Sequence, residues 1–452
     1  MTPSERRATV SLAAIFSTRM LGLFMILPVF ALYAQHLEGA TPALMGLAIG
    51  IYGLLQAVLG IPFGMISDKF GRKPVIVVGL IIFAIGSVVA ALADSIWGVI
   101  LGRALQGGGA IAAVVMALAA DLTREEHRVK SMATIGASIG LSFTVALIIG
   151  PLLSKWIGVP GIFWATAVLG LAAIAVLYLW VPQPVHSRLH RDAQAVPAYF
   201  GTVLRDPELL RLNFGSFTLH MLLTASFVVT PIALRDHAGL AADHHWLVYL
   251  GVMLAALVVM VPFVIIAEKR RKMKQIFVGA VVLLVVAELL LMSGWQTLSG
   301  LVAGLLLFFI AFNLLEATLP SLVAKITPPD KKGTAMGVYT SSQFFGAFCG
   351  GALGGWLYGE VGINGVFALC AVMGVLWVGV AATMRPPRYL SSQLLHVGEI
   401  SPAEAAPLTQ RLLLVPGVAE AVVIVDEGVA YLKVDKKLLD ANALREFSMA
   451  ES

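Results

Sequence analysis

The chain has 452 residues, 59% of them hydrophobic and only 13% charged, with a formal net charge of +5. Soluble domains are nearer half apolar and a quarter charged, so a chain that is water-soluble throughout is excluded. The mean hydropathy of +0.89 makes the bilayer the better solvent, and the basic balance is then a question of where Lys and Arg sit, not of nucleic-acid affinity.

A hydrocarbon core ~30 Å thick is crossed by about 20 apolar helical residues. Stretches of that kind occur at residues 11–34, 43–66, 74–93, 96–120, 131–154 and 160–181. After a polar connector at 182–208, six more follow at 209–234, 245–267, 275–293, 298–324, 333–357 and 362–384. Arg6 and Arg7 precede the first without a small-residue cleavage pattern, so it reads as an uncleaved span. Cys349 and Cys370 lie in apolar helices with no CxxC or zinc spacing, which points to neither disulfide nor metal.

Orientation follows from the basic residues. With the N-terminus inside, the cytoplasmic loops collect Lys69, Arg72, Lys73, Arg124, Arg128, Arg188, Arg191, Lys269–Lys274, Lys331, Lys332, Arg385 and Arg388, whereas the outer loops hold only Lys155 and Arg235. Cytoplasmic loops carry the Lys/Arg excess, so both termini are cytoplasmic. The halves repeat. Pro62-Phe63 matches Pro262-Phe263, Asp68-Lys69 matches Glu268-Lys269, and Arg72 matches Lys272. Parallel repeats of this kind place a substrate site between them, near the midplane.

After Arg388 the composition changes. Residues 394–400 alternate as a strand, 403–413 read as a helix with Ser401 as N-cap and Pro402 at its first position, and 418–425 and 429–434 form strands about an Asp426-Glu427-Gly428 turn. Asp435 is the expected cap of a last helix reaching Phe447. The order βαββα is a ferredoxin-like half-sandwich without a final strand. The fold class is thus an all-α membrane protein of twelve helices in two six-helix halves, 1–181 and 209–388, plus a small soluble α+β domain at 389–452. That domain has five Lys/Arg and nine Asp/Glu, so it is expected to dock on the basic cytoplasmic face near Lys269–Lys274 in a regulatory role, with passive stabilisation as the alternative.

Three motifs carry a family resemblance. The run from Gly64 through Asp68, Lys69, Gly71, Arg72 and Lys73 to Pro74 resembles the signature of the major facilitator superfamily, Arg103-Ala104-Leu105-Gln106-Gly107 resembles its R-x-x-Q-G, and Gly150-Pro151 resembles the core of the antiporter motif. The resemblance covers nearly all of residues 1–390. It implies a secondary transporter in which Asp68, Arg72 and Asp121 latch the halves against the start of the eleventh span at Gly333. A carboxylate at a helix N-terminus gains ~0.3–1 kcal/mol. The alternative is that Asp68, Arg72 and Lys73 only set topology. Val415-Pro416-Gly417-Val418 resembles heavy-metal-associated domains, but their CxxC is absent.

Ionisable groups inside the membrane are functional candidates by default. Glu316 is expected to be a protonatable carboxylate, with Arg19 lending positive field to the same cavity; a static ion pair is the alternative. The resemblance puts Arg103 in the cavity with Gln106 beside it, and snorkelling to the interface is the other reading. His220 and Asn313 complete the expected path. Glu288, on a helix that the resemblance makes peripheral, reads as a packing residue. Phe30, Tyr33, Trp164, Phe227, Phe308, Phe309 and Phe312 are the candidate apolar lining. No phosphate-cradling loop and no nucleophile–base pair are legible, so no enzyme activity and no cofactor are expected, and a proton gradient is the energy source that remains. Export of small amphipathic compounds against protons is the first expectation. Ala146 stands where the antiporter motif has Gly, which leaves import of a nutrient open, and a non-transporting sensor acting through the last domain is the third reading.

Overall fold

The computed structural model describes residues 1–183, 194–387, 390–398, 400–425, 428–435 and 438–447. Arg188, Arg191, Arg388 and the turn residues Asp426 and Glu427 lie outside them.

Thr2 caps α1 (Pro3–Phe24) through a capping box with Glu5. A break ahead of Pro28 starts α2 (Leu27–Ala34), and the two together make the first pass. The second pass is α3 (Pro42–Phe70), capped by Thr41 Oγ1, which accepts the Leu44 N–H at 3.3 Å. It ends at Gly71, whose φ of 88° turns the chain directly into α4 (Arg72–Ala91). Only glycine adopts that conformation cheaply, which accounts for Gly71 in the motif. The fourth pass, α5 (Ile96–Gly108) and α6 (Ala112–Asp121), breaks at Gly109.

The helix α7 (Glu125–Leu179) contains two passes, because Gly158 at φ 68° reverses the chain just ahead of Pro160. A short turn, α8 (Phe200–Val203), precedes the second half. That half comprises α9 (Pro207–Ile232), α10 (His245–Lys269), α11 (Met273–Gly294), α12 (Leu298–Ile326), α13 (Lys332–Val361) and α14 (Ile363–Ala382). Among the described residues, ten helical stretches are long and apolar enough to cross a membrane, one of them the 50-residue Lys130–Leu179 that reverses at Gly158. Counting that stretch twice and adding α13, whose glycines and hydroxyls lower its apolarity, gives twelve passes.

The apolar core shows how the halves meet. One cluster fuses the outer part of the N-terminal half, around Met25–Leu37, Met45–Ile49 and Phe143–Leu147, with the C-terminal half. The inner part of the N-terminal half, from Leu12 and Ile76 to Leu118 and Leu177, forms a separate cluster. The outer halves of α3 and α13 touch backbone to backbone. A Cβ on Gly50 would lie 2.7 Å from the Phe348 carbonyl oxygen, and one on Gly46 would lie 2.6 Å from Gly355 Cα. Gly60, nearer the inner end of α3, has open space where a Cβ would stand. Two polar bridges join the outer loops, Arg235 Nη2 to Gln35 Oε1 at 2.9 Å and Lys155 Nζ to Asp243 Oδ2 at 3.0 Å. The molecule is closed outside.

Beyond the membrane helices, β1 (Ser391–His396), α15 (Pro402–Leu413), β2 (Val418–Ile424), β3 (Val429–Val434) and α16 (Ala441–Arg445) form a small α+β unit. The sheet is antiparallel in the order β1-β3-β2. The first strand ends earlier than residue 400, because Gly398 takes a φ of 75°. The last helix is capped by Asp440, not Asp435: Asp440 Oδ1 accepts the N–H groups of Asn442 and Ala443 at 3.0 and 3.1 Å. Every residue of β3 is buried. Ala430, Leu432 and Val434 face the small core with Leu395, Leu412 and Leu444. Alternation sends Val429, Tyr431 and Lys433 to the other face. There Lys433 Nζ donates to the Lys325 carbonyl at 2.6 Å, at the inner end of α12, and Arg271 pairs with Asp435 at 3.4 Å. The sheet therefore rests on the inner end of the C-terminal half.

Candidate functional site

The motif between α3 and α4 builds a buried charge network. Ser67 Oγ donates to the Gly64 carbonyl at 2.6 Å and accepts from Arg72 Nη1 at 2.6 Å. Arg72 also pairs with Asp68 at the end of α3, across the Gly71 turn, and its Nε donates to Asp121 Oδ2 at 3.1 Å. The Arg72 and Asp121 side chains are 2% and 0% exposed, against 35% for Asp68. The second pass is thereby tied to the fourth. Lys73 Nζ reaches the Val181 carbonyl at 2.7 Å, just beyond α7, and Gly64 lets α3 approach Ala113 on α6.

Asp68 and Gly333 do not meet among the described contacts. The connector lies over the α13 N-terminus instead. The Val196 N–H donates to Thr334 Oγ1 at 2.9 Å, the Gln194 backbone occupies the space of a Gly333 Cβ, and Lys331 Nζ stands 5.6 Å from the Tyr199 ring. In the C-terminal half, Lys325 Nζ binds Glu268 at 2.6 and 2.7 Å. The eighth pass is tied to the tenth as the second is to the fourth, with the signs exchanged at the tenth. The repeat pointed to Glu268 but gave no sign of Lys325 as its partner.

Two polar clusters occupy the interior, and they are separate. In the N-terminal half, Arg19 Nη2 donates to Gln56 Oε1, and Arg103 donates to Gln106 Oε1 at 2.8 Å and to the Ala48 carbonyl at 3.4 Å. Gln106 Nε2 continues to Ser87 Oγ at 2.8 Å. The guanidinium carbons of Arg19 and Arg103 lie 5.8 and 5.1 Å from the centre of the Tyr52 ring. Both arginines are buried, so Arg103 does not snorkel. Arg19 points into its own half. It is not paired with Glu316, because Gln56, Tyr52 and Phe83 surround it.

In the C-terminal half, Glu316 Oε2 lies 3.5 Å from His220 Nε2, and its side chain is 34% exposed. His220 Nδ1 meets the Ser216 carbonyl at 3.0 Å. A carbonyl only accepts, so Nδ1 carries a proton and Nε2 is left to accept from Gln343 Nε2, at 2.7 Å. Gln343 also reaches Glu316 Oε1 at 3.5 Å. Asn313 Nδ2, one turn before Glu316, is buried without a hydrogen-bond partner. By the 1.5 Å rise of a helix, Glu316 lies ~15 Å from the inner end of α12. Gln343 was not singled out from sequence. A glutamine in a glycine-rich helix carries no signal until the fold sets it beside an acid and an imidazole.

Above this cluster, on the outer side, aromatic rings join the halves. Phe143 lies 4.9 Å from Phe24, 6.1 Å from Phe309 and 5.6 Å from Phe312. Phe227 and Phe308 extend the layer, while Trp164 is exposed on the outer surface of the bundle. Gly150, beside Pro151, lets the fifth pass lie on the Met25 backbone, at the break between α1 and α2. Glu288 is buried away from this path and accepts from Ser226 Oγ at 3.3 Å.

Comparison with known proteins agrees with this architecture. The family model for the Major Facilitator Superfamily matches residues 12–348 and 246–425. The inner membrane transport protein YajR of Escherichia coli is 51% identical over 438 residues, covering 97% of this chain and 96% of its own. The multidrug resistance protein MdtH of Yersinia enterocolitica is 27% identical over 79% of this chain and 91% of its own. A bacterial homologue of the human lysosomal transporter Spinster, solved in an inward-facing and occupied conformation, superposes with a TM-score of 0.69 at 14% identity, over 84% of this chain and 97% of that one. The human organic anion transporter MFSD10 gives 0.62 at 21% identity, over 84% and 100%.

Proposed function

The chain belongs to the major facilitator superfamily and is a multi-pass inner-membrane transport protein, not an enzyme, and we propose that it exports small amphipathic compounds in exchange for protons. The observation that carries this reading is the cluster of Glu316, His220 and Gln343 beneath an aromatic layer. Glu316 Oε2 and His220 Nε2, 3.5 Å apart, set two groups able to carry a proton in one cluster. A proton on His220 Nε2 turns that atom from acceptor to donor, which favours Glu316 as its partner and obliges the Gln343 amide to rotate. The aromatic rings offer apolar area to the body of a compound and the polar cluster offers charge, which suits an amphipathic substrate. MdtH, named for multidrug resistance, supports the same class of cargo.

The halves, residues 1–181 and 209–388, act in this reading as two rocking bodies, with 182–208 as the connector and 389–452 as an appended regulator. The outer face is closed here. Opening it separates α3 from α13 at Gly46 and Gly355 and brings their inner ends together, where Asp68 takes over the α13 N-terminus from Gln194–Val196. Arg72 and Asp121 hold Asp68 in position for that exchange.

Reconstitution in proteoliposomes tests the proposal. Efflux of a cationic dye is expected to follow an imposed pH gradient and collapse with it, and Glu316→Gln is expected to abolish the coupling. Gradient-independent flux in both proteins rules it out.

A further inference from the structure

We propose that the interior of the N-terminal half binds a compact monovalent anion, halide or carboxylate, at Arg19 beside Tyr52. Arg19 Nε and Nη1 and the Tyr52 hydroxyl are buried and have no hydrogen-bond partner. Only Nη2 is satisfied, by the neutral Gln56. Arg103 stands over the same ring, and its bonds go to the neutral Gln106 and the Ala48 carbonyl. Two guanidinium charges thus share one packed interior, and among the described residues no carboxylate pairs with either. A guanidinium does not lose its proton in a protein. Buried charges are paired or neutralised, and unpaired ones are strongly disfavoured.

The ligand class follows from the enclosure. Arg19, Tyr52, Gln56 and Arg103 are each at most 2% exposed, so the site admits a small group only. The desolvation cost of an ion rises with the square of its charge, which favours a monovalent anion over a divalent one. The two free nitrogens of Arg19 and the Tyr52 hydroxyl supply donors, and Arg103 supplies a second positive field. The site is separate from Glu316 and His220, so it does not depend on the transport reading.

The test uses the full chain in nanodiscs, dialysed into sodium gluconate. The thermal unfolding midpoint is followed as bromide, formate or acetate replaces gluconate at constant ionic strength. A saturable rise in the wild type that is lost in Arg19→Gln is expected. A rise with bromide marks an inorganic halide, and a rise with the carboxylates alone marks a carboxylate-bearing ligand. If Arg19→Gln does not fold, Tyr52→Phe is used; losing one hydrogen bond to an ion, it is expected to bind about 10- to 150-fold more weakly. Where bromide gives the rise, anomalous scattering from bromide-soaked crystals should place the ion beside Arg19. No rise in the wild type with any of the three anions, an unchanged rise in the variants, or bromide that gives the rise yet lies elsewhere only overturns the proposal.

Discussion

Substituting Gly46 by Ala isolates the outer seam. The added methyl would stand 2.6 Å from Gly355 Cα and 2.8 Å from its nitrogen. Both are backbone atoms, so no rotamer change relieves the overlap. Overpacking of this kind costs ~1–3 kcal/mol, and it is felt only while the outer face is closed. The helix gains about 1 kcal/mol from Gly→Ala, but in both conformations alike. The ratio of outward-open to outward-closed molecules should therefore rise about 5- to 140-fold. Gly60→Ala is the control: it lies on the same helix, with nothing within 4 Å of its Cβ. Spin labels at the exposed outer positions Trp156 and Leu298, with Cys349 and Cys370 replaced by Ala, report the separation of the halves. A long-distance population should appear with Gly46→Ala and not with Gly60→Ala. Identical distributions for the two would refute the seam as the outer closure.

Other expectations follow from the inner side. Asp68→Asn removes the charge proposed to hold the α13 N-terminus, worth ~0.3–1 kcal/mol, and should lower the outward-open population about 2- to 5-fold; the same labels check this, and no change argues for topology alone. Lys433→Met keeps the aliphatic stem but loses the donor to the Lys325 carbonyl. Amides of Val429–Val434 should then exchange about 10- to 150-fold faster, the span for a charged hydrogen bond of ~1.5–3 kcal/mol. The Glu404 carboxyl is held below the usual carboxylate range by the Ser401 N–H and hydroxyl. Its folded value is depressed, so its contribution to α15 is present above the unfolded value and fades as pH falls through the folded one. Amide exchange in Pro402–Leu413 should quicken on acidification in the wild type and lose that step in Glu404→Gln.

Much of the scaffold was legible because each feature is local. Apolar length gave the passes, and the break between residues 154 and 160 anticipated the reversal at Gly158. The family resemblance put Asp68, Arg72 and Asp121 together in one latch. What escaped was set by packing between distant segments. Nothing in Gln194 or Val196 announces that they will cover Gly333 and Thr334. Arg19 and Glu316 were expected to share a cavity by depth alone, but rotation about the helix axis decides facing, and Arg19 faces Gln56. Phe143 and Gln343 bear no local mark. Asp435 was the expected cap, and Asp440, directly ahead of α16, takes that role instead.

The bond from Lys433 to the Lys325 carbonyl spans 108 residues. At ordinary elongation speeds the ribosome adds that much chain in roughly 5–20 s. For that interval the newly inserted tenth helix faces the cytoplasm without the ammonium that will cover its end. Two more passes must enter the bilayer and a sheet must assemble before it arrives. The bond that covers the inner end of α12 therefore forms only after both later passes have been made.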